Sequence, residues 1–158
     1  MLIDISIPEQ TLKLCDDAGS VLAVYAVSTA ANGLGERKDS GCTPRGQHIV
    51  RAKIGADSGP GTVFIGRRPT GEIWSPELAA SNPERDWILT RILWLSGCER
   101  GLNRLGDCDS MQRYIYIHGT PDSEPMGVPH SHGCIRMRNA DVTALFDQVP
   151  VGTPVVIR

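Results

Sequence analysis

Apolar and polar positions alternate along much of this 158-residue chain, a period that belongs to β-structure. Leu2-Ile3-Asp4-Ile5-Ser6-Ile7 opens with it, as a half-buried strand does. Residues 11–15 and 21–27 continue the pattern on either side of Asp16-Asp17-Ala18-Gly19-Ser20, whose turn formers predict an opening meander. Residues 30–46 are polar and glycine-bearing and read as a loop. Residues 47–54 and 62–67 read as further strands around a glycine-rich turn.

The stretch WILTRILWL, residues 87–95, carries two signals. Asn82-Pro83-Glu84 before it could open a helix, since proline suits the first helical position. Yet Ile88, Thr90, Ile92 and Trp94 alternate with Leu89, Arg91, Leu93 and Leu95, and β-branched residues are frequent, which favours a strand with both faces partly buried. Residues 97–110 read as a loop. Residues 113–117 predict a strand that delivers His118 at its end. Only residues 139–148 look helical, with Asn139 as the cap and Val142, Leu145 and Phe146 on one face. Gly152 and Pro154 then introduce a last strand at 155–157. Without a repeat, linker or low-complexity segment, the chain reads as one mainly-β domain, residues 1–158.

Composition narrows the functional classes. Hydrophobic residues at 41% and charged residues at 22% suit a folded globular chain. A net charge of −2 with no run of one sign argues against nucleic acid as a partner. No stretch is long and apolar enough to insert in a bilayer. The N-terminus lacks the basic start, unbroken apolar run and small-residue site of a secretory leader. Five cysteines without paired spacing suit a reducing compartment. Together these point to the cytoplasm, with the periplasm as the alternative if a leader has been removed.

The chemistry is concentrated in one segment. His118-Gly119-Thr120 is followed, after a loop rich in proline and glycine, by His130-Ser131-His132-Gly133-Cys134-Ile135-Arg136, so three of the four histidines fall here. A thiol with an ordinary pKa of about 8.5 is a weak nucleophile until a base takes its proton. A neighbouring imidazole can do so, giving a thiolate–imidazolium pair. Gly133 keeps bulk off the sulfur and lets backbone N–H groups face an oxyanion, each worth on the order of 3 kcal/mol in a transition state. Two histidines could serve as the base. His132 stands two residues before Cys134 and would point the same way in an extended segment, whereas His118 could approach across the loop. Spacing alone leaves both open.

His118-Gly119-Thr120 with Ser131-His132-Gly133-Cys134-Ile135-Arg136 resembles the signature of the YkuD-type L,D-transpeptidase family. Leu2 to Ser6 and Thr11 to Val27, followed by Ser28-Thr29, resemble the start of that domain, and Cys42-Thr43-Pro44-Arg45-Gly46 resembles its Thr-Pro-x-Gly loop. The resemblance implies a β-sandwich of mixed sheets with one or two short helices. It implies Cys134 as the nucleophile, His118 as the base, and the Gly119 carbonyl as the group that orients the imidazole. His132, Gly133 and Cys134 would supply the oxyanion N–H groups, with Ser131 holding the loop. Arg136 stands where many members have asparagine, and the stretch between His118 and Ser131 is short, so the substrate contacts need not follow the family pattern. No cofactor or metal is implied.

Family members act on peptidoglycan stem tetrapeptides, at the bond between the L-centre of the diamino acid and the terminal D-alanine. The resemblance therefore implies a muropeptide substrate and acylation of Cys134 by carbapenem-type inhibitors. The favoured expectation is a cytoplasmic L,D-carboxypeptidase in murein recycling. The alternatives are an exported L,D-transpeptidase forming 3→3 cross-links, and a non-catalytic muropeptide- or zinc-binding module. Arg136, Arg138 and Arg45 are the candidates for holding the D-alanine carboxylate, although Arg136 could equally pair with a carboxylate of the protein. His48 and the three tryptophans are expected to pack, His130 to lie in a loop, and Arg67-Arg68 to form a solvated turn.

Overall fold

In the computed structural model, which describes residues 1–158, the opening alternation becomes a strand. Along β1 (Leu2–Ser6), Ile3 and Ile5 are wholly buried while Leu2, Asp4 and Ser6 stay partly exposed. β2 (Thr11–Cys15) and β3 (Val21–Ala26) complete the meander, turning at 16–20, where Asp16 Oδ1 accepts the N–H groups of Ala18 and Ser20. The molecule is mainly β, as expected.

β4 (Gly46–Ile54), β5 (Thr62–Ile65), β6 (Arg68–Ile73), β7 (Ile88–Gly97), β8 (Tyr116–Thr120), β9 (Ile135–Arg138) and β10 (Pro154–Ile157) extend this into one ten-stranded curled sheet. Its main path runs β3-β2-β1-β10-β4-β7-β5-β6, and β8 branches from β7 to carry β9. Pairing is mixed: β1 with β10 and β8 with β9 are parallel, the rest antiparallel. α2 (Asn139–Gln148) packs across β7, β8 and β9. It turns Val142, Leu145 and Phe146 into a core shared with Ile3, Leu14, Val50, Leu95, Ile117 and Ile135. The i, i+3, i+4 spacing of those three residues makes the one apolar stripe that a surface helix needs.

Several local expectations are corrected. The strand expected at 113–117 begins only at Tyr116. Tyr114 has φ 57, and the N–H groups of Arg113 and Tyr114 turn back to the carbonyls of Asp109 and Met111. His118 therefore lies in the middle of β8 rather than at a strand end. Asn139 does not cap α2: Arg138 is the N-cap, and Asn139 is the first helical residue with its side chain turned elsewhere. The strand expected at 62–67 stops at Ile65. Gly66 and Arg67, both at positive φ, turn the chain into β6. A short helix, α1 (Pro76–Ser81), was not expected, although Ser75 caps it by accepting the Leu78 N–H and Pro76 opens it. The loop at 97–110 contains a 3-10 turn at Gly106–Cys108.

Candidate active site

The register of β8 and β9 sets the site. Ile117 stands opposite Ile135, His118 opposite Arg136, and Gly119 opposite Met137. Side chains alternate across a strand, so Ile117, Ile135 and Met137 enter the core. Tyr116, His118, Cys134 and Arg136 share the opposite face. There Cys134 packs on a second cluster built from Phe64, Ile92 and Tyr116.

His118 is 1% exposed, with Nδ1 2.6 Å from the Gly119 carbonyl oxygen. A carbonyl only accepts, so the ring hydrogen sits on Nδ1 and Nε2 is left as an acceptor. Burial pushes this imidazole below its usual pKa, opposed by the Gly119 carbonyl and the Asp86 carboxylate. Gly119 must be glycine, because a Cβ there would stand 2.5 Å from the Leu89 carbonyl oxygen and 2.4 Å from Asn139 Oδ1. Asn139 clamps this corner. Its Oδ1 accepts the Thr90 hydroxyl at 2.6 Å, and its Nδ2 donates to the Thr120 carbonyl at 3.0 Å.

Cys134 is half-buried. Its thiol donates to the Tyr114 carbonyl at 3.3 Å and accepts the Tyr116 N–H at 3.4 Å. Burial pushes it up to about 12; the Tyr116 N–H, Arg136 and Arg113 act against that, and Asp86 adds to it. No hydrogen bond joins Cys134 to His118. Burial thus favours the neutral form of both groups.

The cysteine loop is tied to the strip that follows β3. Ser28 and Arg136 exchange both backbone hydrogen bonds, and the Ser131 N–H donates to the Thr29 carbonyl. Ser131 Oγ donates to the Cys134 carbonyl at 2.6 Å and accepts the Gly133 N–H at 3.2 Å. Thr43 Oγ1 donates to the Gly133 carbonyl at 2.8 Å. Ser131 thus braces the loop as expected. The Gly133 N–H, expected to face the oxyanion, donates to Ser131 within that brace, while those of His132 and Cys134 donate to no group of the protein. Gly133 adopts φ 133, which favours glycine.

His132 is mostly exposed, with Nδ1 3.3 Å from Asp86 Oδ2, and it lines two cavities of about 420 Å³ each. One holds Cys134, Arg113 and Tyr114; the other holds Asp86, Glu124 and Arg136. The Arg136 side chain is 7% exposed. It binds Asp86 at 2.9 Å, lies 3.7 Å from Glu124, and donates to the His130 carbonyl at 3.2 Å. Its guanidinium is thus already engaged by two carboxylates of the protein. Arg45 pairs with Glu36, and Arg138 is exposed at the end of β9. His48 packs as expected, bonded to the Gly46 carbonyl and the Ser110 hydroxyl. Arg67 is no free turn residue: it stacks on Trp94 and Tyr114 and donates to Tyr116 Oη at 3.0 Å.

Asp86 and Arg113 were missed by sequence reasoning. Asp86 sits just beyond the expected helix opener, and nothing local marks it as the partner of residues 50 positions away. Burial raises its carboxyl, but His118, Arg136 and His132 outweigh that and hold it below the usual range. Arg113 lay in an expected strand, where its side chain had no assigned direction.

A thiol, an imidazole with a free acceptor nitrogen and a loop with unspent N–H donors are the equipment of cysteine acyl-transfer chemistry. The chain belongs to the YkuD family of L,D-transpeptidase catalytic domains, whose family model matches residues 1–157. A stretch of 43 residues is 51% identical to the probable L,D-transpeptidase YbiS of Escherichia coli K12, covering 27% of this chain and 14% of that protein. An L,D-transpeptidase from Mycobacterium smegmatis superposes on 99% of this chain and 58% of its own, with TM-score 0.58 and 23% identity. L,D-transpeptidase 3 from Mycobacterium tuberculosis, in complex with a faropenem-derived adduct, does so over 99% and 59%, with TM-score 0.61 and 18% identity. At these identities the two solved structures establish the fold. The chain thus matches about a seventh of YbiS and less than two thirds of either solved structure.

Proposed function

We propose that this chain is a cysteine-dependent L,D-carboxypeptidase that removes D-alanine from peptidoglycan tetrapeptides in the cytoplasm. The observation that carries the chemistry is the shared outward face of β8 and β9, on which Cys134 and His118 both stand while Gly119 fixes the His118 tautomer. The thiol proton passes to His118 Nε2 as sulfur attacks the carbonyl of the diamino acid L-centre. The N–H groups of His132 and Cys134 receive the oxyanion. The amide bond breaks, D-alanine leaves with the proton from His118, and water hydrolyses the thioester to the tripeptide. His118 is preferred over His132 as the base because His132 is turned outward to Asp86. Five free cysteines, two of them buried, support a reducing compartment. Family membership supports the peptide substrate. The faropenem-derived adduct of the tuberculosis relative and a second L,D-transpeptidase structure in complex with imipenem support acylation of Cys134 by a carbapenem-type or penem β-lactam.

Mass spectrometry of a disaccharide tetrapeptide incubated with wild type, Cys134→Ala and His118→Ala tests this reading. Loss of one D-alanine by wild type alone is expected. Dimeric 3→3 product accumulating in place of tripeptide would overturn hydrolysis in favour of transpeptidation, and turnover by Cys134→Ala would overturn the assigned nucleophile.

A further inference from the structure

The cavity that holds the thiol also holds one arginine, Arg113. Its backbone is fixed by the turn at 109–115, where its N–H donates to the Asp109 carbonyl at 2.9 Å. Its guanidinium reaches across to the loop before β4. There Nη2 donates to the Cys42 carbonyl at 2.7 Å and the Ser40 hydroxyl at 3.3 Å, and Nη1 to the Gly35 carbonyl at 3.3 Å. All three partners are neutral. Among all ion pairs within 4.0 Å, none includes Arg113. The nearby carboxylates are otherwise occupied or exposed. Glu36 pairs with Arg45, Asp109 accepts the N–H groups of Leu105 and Gln112, and Asp39 faces solvent.

A guanidinium carries five N–H donors, so the three contacts leave two unspent. Burial pushes the Arg113 pKa down, the mark of a charge without a partner; the facing thiols of Cys42 and Cys134, with Glu36 and Asp39, oppose the shift. A partly desolvated cation with spare donors gains from a neighbouring anion, and the unspent Nε–H and one Nη1–H, on separate edges, can each take one oxygen. The groove also continues beyond it. A second cavity of about 530 Å³ shares Lys38, Gln112, Arg113 and Tyr114 with the first and reaches Arg67, which rests on the rings of Trp94 and Tyr114 at 4.6 and 4.8 Å. A ligand laid along this groove from the sulfur passes Arg113, which lines both cavities and, unlike the exposed Lys38 beside it, is braced in place.

We propose that Arg113 is the residue that receives a substrate carboxylate beside Cys134, in place of Arg136, Arg138 or Arg45. On the acyl-transfer reading, on which the substrate's identity rests, that carboxylate belongs to the departing D-residue. Arg113 acts through binding, as a specificity-determining residue for a peptide ending in a free carboxylate.

Two reagents that differ only in this group test the site without any peptide. Iodoacetate and iodoacetamide each alkylate the sulfur by forming a C–S bond as C–I breaks and iodide leaves. The rate ratio of acetate to acetamide reagent, read on the Cys134 peptide, is compared with that of a small thiol in the same buffer. Wild type is expected to exceed the small thiol by roughly three- to tenfold. Arg113→Gln brings the ratio down to the small-thiol value, Arg113→Lys retains part of the excess, and Ser40→Ala, which removes one brace but no charge, keeps it. A wild-type ratio no higher than the small thiol's overturns the proposal, as does a ratio that falls equally in Ser40→Ala.

The peptide arm compares tetrapeptides ending in carboxylate and in carboxamide. Wild type is expected to prefer the carboxylate, and Arg113→Gln to lose the preference chiefly through KM. Turnover with the preference intact in Arg113→Gln overturns the proposal alone. If neither peptide is turned over while the alkylation ratio still depends on Arg113, the assigned reaction fails and the carboxylate site stands.

Discussion

Iodoacetamide offered to the free protein across a pH series measures how the thiol rests. Only the thiolate reacts, and Cys134 is pushed up to about 12, against 9.0 for the small thiol taken as reference. At pH 7.5 the ionised fraction is then about 1 in 30,000, against about 1 in 30 for an ordinary thiol, a deficit of about 1,000-fold. A more basic thiolate is a better nucleophile, by about 20-fold over three pKa units at a Brønsted slope near 0.45. The net expectation is alkylation about 50-fold slower than that of a small thiol titrating near 9. The rate climbs about tenfold per pH unit to about pH 11, with no neutral plateau. The assay is peptide-resolved mass spectrometry, since Cys42 and Cys98 also carry accessible sulfur. His118→Ala should leave this profile nearly unchanged, because no hydrogen bond joins the two groups at rest. A flat reactivity between about pH 6 and pH 8 that disappears in His118→Ala would refute the reasoning, since it is the signature of a standing thiolate–imidazolium pair.

Two further outcomes rest on packing and burial. Gly119→Ala pushes a methyl group to 2.5 Å from a backbone carbonyl that cannot turn aside, so it is expected to cost about 2–3 kcal/mol. A urea midpoint unchanged from wild type would show that the corner can open. His48 and His118 are both held below the usual imidazole pKa by burial. The unfolded chain therefore binds protons that the folded one refuses as pH falls below about 6.5, and stability is lost there at up to about 1.4 kcal/mol per unit for each histidine. Urea unfolding that is insensitive to pH between about 7.5 and 5 would contradict this.

Period-two alternation was enough to find β1, β2, most of β4 and β7, because each buries one face or both against a continuous core. It failed where tertiary contacts set the backbone. Tyr114 alternates as a strand residue should, yet its N–H bonds the Met111 carbonyl, and with Arg113 bonded to the Asp109 carbonyl the segment is held in a turn. β6 escaped because Pro69 and Gly71 mark it as loop, whereas an edge strand tolerates both. Asn139 has the chemistry of a cap, but Thr90 and Thr120 offer its side chain better partners. The site divides the same way. His118, Gly119, Ser131, Gly133 and Cys134 lie in contiguous motifs and could be read. Asp86 and Arg113 join them from other segments through the folded chain, and single-sequence spacing carries no trace of that.

The resting hydrogen bond of Cys134 to the Tyr114 carbonyl says how activation must proceed. An ion pair held permanently in this pocket would require two charges to stand in surroundings that push the thiol up and the imidazole down. Both shifts favour the neutral forms, so the proton stays on sulfur until something lowers the cost of moving it. Transfer to Nε2 creates opposite charges side by side, and their attraction is strong where water is excluded. As sulfur attacks, the negative charge leaves it for the carbonyl oxygen, which the unspent N–H groups of His132 and Cys134 can receive. Charge then exists only while a substrate is present to take it. The same burial that makes the free thiol sluggish therefore protects it from adventitious electrophiles, without weakening attack on a carbonyl placed against those donors.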